Sequence, residues 1–153
     1  MKVLSKTNFI HYLRCPDSLW LEKNKPHKFN KGITSSFLLK LIEEGYEVED
    51  YAKKLFPNGV GVSRNSGIDR TKVMLKQNHE VLLQPSFKTE SGAFAIADIL
   101  KKVDKNSYHL YEVKSSTSVK TDKEHNHLKD VCFQKFVLSE CGINISASYI
   151  IHL

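Results

Sequence analysis

Three apolar runs follow one another with only short polar breaks between them: "VLLQPSF" (81–87), "AFAIADILKKV" (93–103) and "YHLYEVK" (108–114). All three read as strands, and the breaks "KTESG" (88–92) and "DKNS" (104–107) are made of turn residues. Strands joined by a turn this short pair as antiparallel neighbours, so the second and third are expected to form a hairpin. Charges sit inside these runs: Asp98 in the middle of "FAIADIL", Glu112 and Lys114 two residues apart in "YEVK". Burying any of them without a partner is expensive, so each needs a reason.

The flanks of this core read as helices. "SKTNFIHYLRCPDSLWLEK" has Ser5 or Thr7 as an N-cap, then Phe9, Ile10, Leu13 and Trp20 at helical spacing, with Trp20 expected as a core anchor. Pro16 breaks or restarts that helix. A basic polar loop covers roughly 24 to 33. It is followed by the strongest helical pattern in the chain, "TSSFLLKLIEEGYEVEDYAKKLF". There Leu38, Leu41, Ile42, Gly45, Val48, Ala52 and Leu55 form one apolar stripe, and "PNGVGV" stops the helix. A further helix is expected near 68 to 79. After "SSTSVKTDKEHNH" (115–127), read as a loop, "LKDVCFQKFVLSECG" returns to helix and ends on Gly142 as a C-terminal cap. "INISASYIIHL" is a last strand. The order is helix, helix, three strands, helix, strand, a mixed α/β architecture. No repeat or low-complexity tract interrupts it.

With 153 residues the chain is long enough for one domain with a real core. No apolar run approaches a membrane span and "MKVLSKTNF" lacks a secretory apolar region, so no membrane association and a cytoplasmic location are expected. Cys15, Cys132 and Cys141 are an odd number without CxxC spacing, which argues against a disulfide framework or a zinc knuckle. Cys132 and Cys141 lie on a helix and read as core thiols. Lys and Arg outnumber Asp and Glu by 23 to 17, a net charge of +6 compatible with a nucleic-acid partner but not diagnostic of one. One basic cluster is "KNKPHKFNK" (23–31), another "LKKVDK" (100–105).

Side chains on a strand alternate with period two, so Glu112 and Lys114 share a face, and a hairpin brings Asp98 close to both. Two carboxylates at close range repel unless a divalent cation lies between them. A neighbouring lysine can then orient a water and offset charge developing on a phosphate. The plain alternative is a buried ion pair that satisfies itself.

Asp98, thirteen further residues, then "EVK" (112–114) resembles the D…(D/E)-x-K signature of the PD-(D/E)XK nuclease superfamily. "AIADIL" resembles the G-x-x-D strand of RecB-like members and "YEVKSST" their E-x-K strand with its trailing hydroxyl residues. Gln134 falls where such nucleases carry Q-x-x-x-Y, and "LRCP" resembles the N-terminal "CP" of RecB-like and CRISPR-associated nucleases. From about Ser5 to Leu153 the chain looks close to an uncharacterised bacterial family with an N-terminal RecB-like nuclease domain.

The resemblance implies a restriction-endonuclease-like core, a central mixed sheet flanked by helices, and Mg²⁺ or Mn²⁺ as cofactor. It makes Asp98 and Glu112 metal ligands, joined by the Val113 backbone carbonyl, with Lys114 positioning the attacking water or stabilising the phosphate. Gln134 would contact the site or the DNA backbone, a satisfied core glutamine being the alternative. The family's acidic or histidine ligand four residues after a glycine points from Gly45 to Glu49. Glu44 competes for that role, and a solvated helix face would account for either. Ser115 and Ser116 are candidate phosphate contacts, or simply a hydroxyl-rich strand end. Ala97 replaces the proline of the superfamily name and Leu138 replaces the tyrosine of Q-x-x-x-Y. The C-terminal cysteines that hold an iron–sulfur cluster with the "CP" cysteine have no counterpart here: the cluster is absent, or the chain is a fragment of a longer protein. "HNH" (125–127) is contiguous and so not an HNH nuclease motif; His125 and His127 are expected to be solvated or in loose contact with DNA. The resulting expectation is a metal-dependent deoxyribonuclease. Its rival is a non-catalytic nuclease-fold module that binds DNA or docks a helicase-like partner.

Overall fold

The computed structural model describes residues 3–30, 32–33, 35–62, 67–122 and 125–153, so Lys31 of the basic cluster, Thr34 before the long helix and residues 123–124 of the polar loop lie outside the described residues. A short strand β1 (Leu4–Ser5) leads into α1 (Lys6–Arg14). Ser5 caps α1 by accepting from the Asn8 amide at 3.2 Å, and the Asn8 side chain accepts from the Ser5 amide at 3.3 Å. Pro16 restarts the chain as the first residue of α2 (Pro16–Asn24), where its missing N–H costs nothing. After a 3-10 turn at Pro26–Lys28 comes α3 (Ser36–Lys54), capped by Ser35.

Then follow β2 (Gly59–Gly61), α4 (Gly67–Lys76), β3 (Val81–Leu83), β4 (Ser86–Lys88), β5 (Ala93–Ile96), β6 (Ile99–Lys102), β7 (Tyr108–Val113), α5 (His127–Glu140) and β8 (Ile145–Ile151). The strands make two sheets, one ordered β1-β5-β4 and the other β2-β3-β6-β7-β8. The expected hairpin is β6–β7, antiparallel with Ile99 opposite Tyr111 and Leu100 opposite Leu110. From β7 the chain crosses through α5 to β8, which pairs parallel with Glu112 opposite Ile150. The mixed α/β class expected from the order of elements is the one formed.

Two expected strands are each broken. The run 81–87 divides at Gln84-Pro85 and the run 93–103 at Ala97-Asp98, and the breaks face each other. The Gln84 amide donates to the Asp98 carbonyl at 2.9 Å and the Ala97 amide to the Pro85 carbonyl at 3.0 Å. Gln84 has φ of +54°, a left-handed conformation costly for a side chain with a Cβ, and Pro85 offers no N–H to a ladder. The paired chains therefore turn out of one sheet into the other at this joint. Asp98 stands at the joint, half-buried, rather than in the middle of a strand.

Alternation places two cores on the two faces of the larger sheet. Leu82, Leu100 and Leu110 pack with Met74 of α4 and with Phe133, Val137 and Leu138 of α5; Phe9 of α1 stacks on Phe133 at 4.9 Å. On the opposite face Val81 and Ile99 pack with Ala52, near the end of α3. Only that last part of α3 lies over the sheet. Leu38, Leu41, Ile42 and Leu55 of its apolar stripe are exposed. Periodicity shows which face of a helix is apolar; it does not show how far the partner extends. Trp20 and Cys132 are likewise exposed rather than core residues. Gly59 does more than help stop α3. It begins edge strand β2, and a Cβ there would lie 2.9 Å from Leu83 Cγ and from the Phe56 carbonyl oxygen. Among the described residues no helix is long and apolar enough to cross a membrane.

Candidate active site

Glu112 is the next-to-last residue of β7, and its alternation points it at α5 and α1, on the face of Leu110. Its side chain is 1% exposed, so its charge must be met by protein. Oε1 accepts from Lys6 Nζ and from Lys114 Nζ, each at 2.7 Å, and Oε2 accepts from Gln134 Nε2 at 2.5 Å. Lys114 also donates to Asp130 Oδ2 at 2.5 Å. Burial works against the Glu112 charge, but the two ammonium groups outweigh it and hold its carboxyl down at about 2. For Lys114 burial again opposes the charge, while Glu112 and Asp130 raise its pKa above the usual lysine value.

Asp98 reaches the same place from the joint. The β6–β7 register, extended by one residue, sets it opposite Glu112, and its Oδ2 accepts from the Val113 amide at 2.7 Å. Burial and then the negative charge of Glu112 push its pKa up to about 7; Lys6 and the Val113 N–H offset part of this, and Glu49 adds to it. Two neighbouring carboxyls are thus driven apart, Glu112 ionised and Asp98 near the middle of its titration at neutral pH.

Of the residues expected at the site, Asp98, Glu112, Lys114 and Gln134 come together. Gln134 is fully buried on α5, and its Oε1 has no hydrogen-bond partner among the described residues. Glu49 points toward the joint from α3: its Oε1 accepts from Gln84 Nε2 at 2.6 Å and from Lys53 Nζ at 2.9 Å. It is near enough to Asp98 to influence its charge but shares no hydrogen bond with it. Its rival Glu44 is half exposed and lies 3.9 Å from Lys40, one helical turn earlier. Val113 turns its side chain to the opposite core and its amide to Asp98. Ser115 is exposed beyond Lys114, and Ser116 is tied into its own turn by donating to the Ser118 carbonyl at 2.8 Å. His127 is not solvated, contrary to expectation. It is buried, with Nδ1 accepting from the Lys120 amide at 3.1 Å, and burial together with the Lys114 charge lowers its pKa.

Three members of the site were not anticipated. Lys6 contacts Glu112 from 106 positions away, and no local pattern marks it. Asp130 had an available signal: four residues before Gln134, it shares that face of α5. Gln84 braces both Glu49 and the Asp98 backbone.

Asp98 and Glu112 with a backbone carbonyl are hard oxygen donors, the kind that suit Mg²⁺ or Mn²⁺. In the arrangement described here, lysine ammonium groups meet Glu112, and among the described residues no three Asp, Glu, His or Cys side chains gather at metal-ligand spacing. The Gln134 oxygen marks a buried polar position beside these carboxylates that no described residue satisfies. Compared with known protein families and with curated proteins, the chain matches none.

Proposed function

We propose that this site belongs to a cytoplasmic, metal-dependent deoxyribonuclease of the PD-(D/E)XK superfamily, RecB-like in kind, which hydrolyses DNA phosphodiester bonds. The observation that carries the reading is the convergence of Asp98, Glu112 and Lys114 beside the buried Gln134, at a joint that breaks two strands to present Asp98. A core needs no such group of charges, because buried ion pairs add little net stability.

Asp98 and Glu112, with the Val113 carbonyl and Glu49 from α3, are the residues to hold Mg²⁺ or Mn²⁺. When bound, the ion supplies Lewis-acid polarisation of a phosphoryl oxygen and a lowered pKa for a coordinated water. Lys114 donates from its ammonium to the attacking water or to a phosphate oxygen, offsetting negative charge as it develops. Asp130 holds Lys114 in place, and Gln134 fixes the Glu112 carboxylate. A positively charged molecule suits a polyanionic substrate.

A second reading rests on the same cluster. Both Glu112 oxygens are satisfied by Lys6, Lys114 and Gln134, a network that needs no metal and would suit a non-catalytic module that binds DNA or docks a helicase-like partner. Degradation of end-labelled DNA with and without Mn²⁺, beside a Glu112→Ala control, separates the two. Mn²⁺-dependent degradation that the control lacks supports the nuclease; intact DNA at saturating Mn²⁺ rejects it.

A further inference from the structure

A cavity of about 570 Å³ opens along α1, bounded by Phe29 just beyond the 3-10 turn and by Asp130 of α5. Its volume is within the roughly 300–1,000 Å³ range of small-ligand sites. Two of its lining residues are members of the candidate site: Lys6, which meets Glu112, and Asp130, which meets Lys114. The cavity and the carboxylate cluster therefore share a wall. Lys6 is 28% exposed against 18% for Lys114, so it is the lysine of the pair more open to a ligand.

The cavity lining is also aromatic. Phe29 is half-buried and its ring lies 5.8 Å from that of His11. His11 is held on both nitrogens, by Glu22 at 3.0 Å and Ser18 at 2.8 Å, so this part of the lining is fixed in place before any ligand arrives. Both acids lining the cavity already have partners, Glu22 in His11 and Asp130 in Lys114. Phe29 is carried on the basic segment 23–31, where Lys25 and Lys28 are exposed on either side of the turn.

We propose that this cavity is a nucleotide subsite, in which a base of a DNA single strand stacks on Phe29 while the neighbouring backbone phosphate meets Lys6. An aromatic ring and a cation lining one nucleotide-sized space are the two elements by which proteins hold single strands. The inference rests on the nuclease reading for its substrate, since Lys6 and Asp130 in the cavity lining also meet Glu112 and Lys114 of the candidate site.

The test is binding of a short dye-labelled oligodeoxythymidylate in EDTA, followed by fluorescence anisotropy, so that cleavage plays no part. Phe29→Ala should weaken binding by roughly ten- to a hundredfold, the loss of one stacking contact, and Phe29→Tyr should restore it. In Phe29→Trp the added tryptophan emission should be quenched by the oligonucleotide relative to the wild-type response. Wild-type affinity in Phe29→Ala, an unquenched Phe29→Trp, or a wild-type protein that binds no oligonucleotide would each overturn the subsite. If Phe29→Ala does not fold, the quenching result decides. Cleavage with Mn²⁺ is scored separately. Phe29-dependent binding without cleavage keeps the subsite and removes the nuclease; cleavage with Phe29-independent binding does the reverse.

Discussion

Glu112 carries two ammonium groups on one oxygen, and this sets what each substitution at the site should do. Removing one partner of a lone buried ion pair costs about 3–5 kcal/mol. In Lys114→Ala the Glu112 carboxylate keeps Lys6, which should hold the loss of stability to the low end of that range or below, while Asp130, its side chain 14% exposed, loses its lysine. If Lys114 acts on the phosphate, the single-turnover cleavage rate should drop by about two to three powers of ten, as for one lost electrostatic contact. Melting temperature and single-turnover rate on the one mutant separate the roles. Full activity in a folded Lys114→Ala protein would reject the catalytic one.

Asp98 yields a pH dependence with a definite sign. Its carboxyl titrates at about 7 in the folded protein, against roughly 4 when unfolded. Between these values the folded state binds the extra proton, so metal-free stability falls as pH rises from about 4 through 7. Asp98→Asn keeps an oxygen for the Val113 amide and removes the titration. It should melt higher than wild type at pH 8 without metal, with the difference shrinking toward pH 4. Mn²⁺ competes with that proton, so its stabilisation of the wild type should grow from pH 6 to pH 8 and be weakened in Asp98→Asn. A melting curve unmoved by saturating Mn²⁺ at pH 8 would count against the metal site. Glu112 runs the opposite way: its lowered pKa contributes stability above roughly pH 4 that is lost as pH falls toward 2.

At the scale of elements, the joint between the two sheets decides where the chemistry sits. Gln84 in its left-handed conformation and Pro85 without an N–H bend one strand, and Ala97-Asp98 bends with it. Strain of this kind persists only where the surroundings over-determine it, here through the Gln84 contacts to Glu49 and to the Asp98 carbonyl. The edge strand β2 depends on a different local fact. At Gly59 a Cβ would meet the Leu83 side chain and the Phe56 carbonyl oxygen, each at 2.9 Å, and the carbonyl cannot yield as a side-chain end would. Gly59→Ala should therefore destabilise by about 1–3 kcal/mol, the usual cost of overpacking, read as a lower denaturant midpoint. An unchanged midpoint would show that β2 can shift without cost.

Over the whole molecule, one mixed sheet carries a core on each face, with the site at the rim of the α5 core. Of the three cysteines, Cys141 packs against the α5 core as expected, while Cys15 and Cys132 are exposed. Cys15 lies between α1 and α2, Cys132 is exposed on α5, and Cys141 ends α5 half-buried. The purified protein is expected to be colourless, without the visible absorption of an iron–sulfur centre. A brown preparation that loses its colour on Cys15→Ser would overturn this and would mean that Cys132 or Cys141 had been recruited.

Much of the fold was legible because it is written in local terms. Turn residues at 88–92 and 104–107 define the strands they separate, period two puts Glu112 and Lys114 on one face, and Ser5, Pro16 and Gly142 act at helix ends as their chemistry dictates. Local pattern was thus enough for the mixed α/β class and for the hairpin that brings Asp98, Glu112 and Lys114 together, while the place of Gln134 beside them was expected only from the family resemblance. It could not show that two strands break at a shared joint, since Gln84 adopts its backbone only with a partner strand to bend against. Nor could it show that the stripe of α3 outruns the sheet, or that Lys6 crosses 106 positions to share Glu112 with Lys114. Tertiary structure decided these because each depends on a distance between segments remote in the chain, and a local pattern carries no information about such distances.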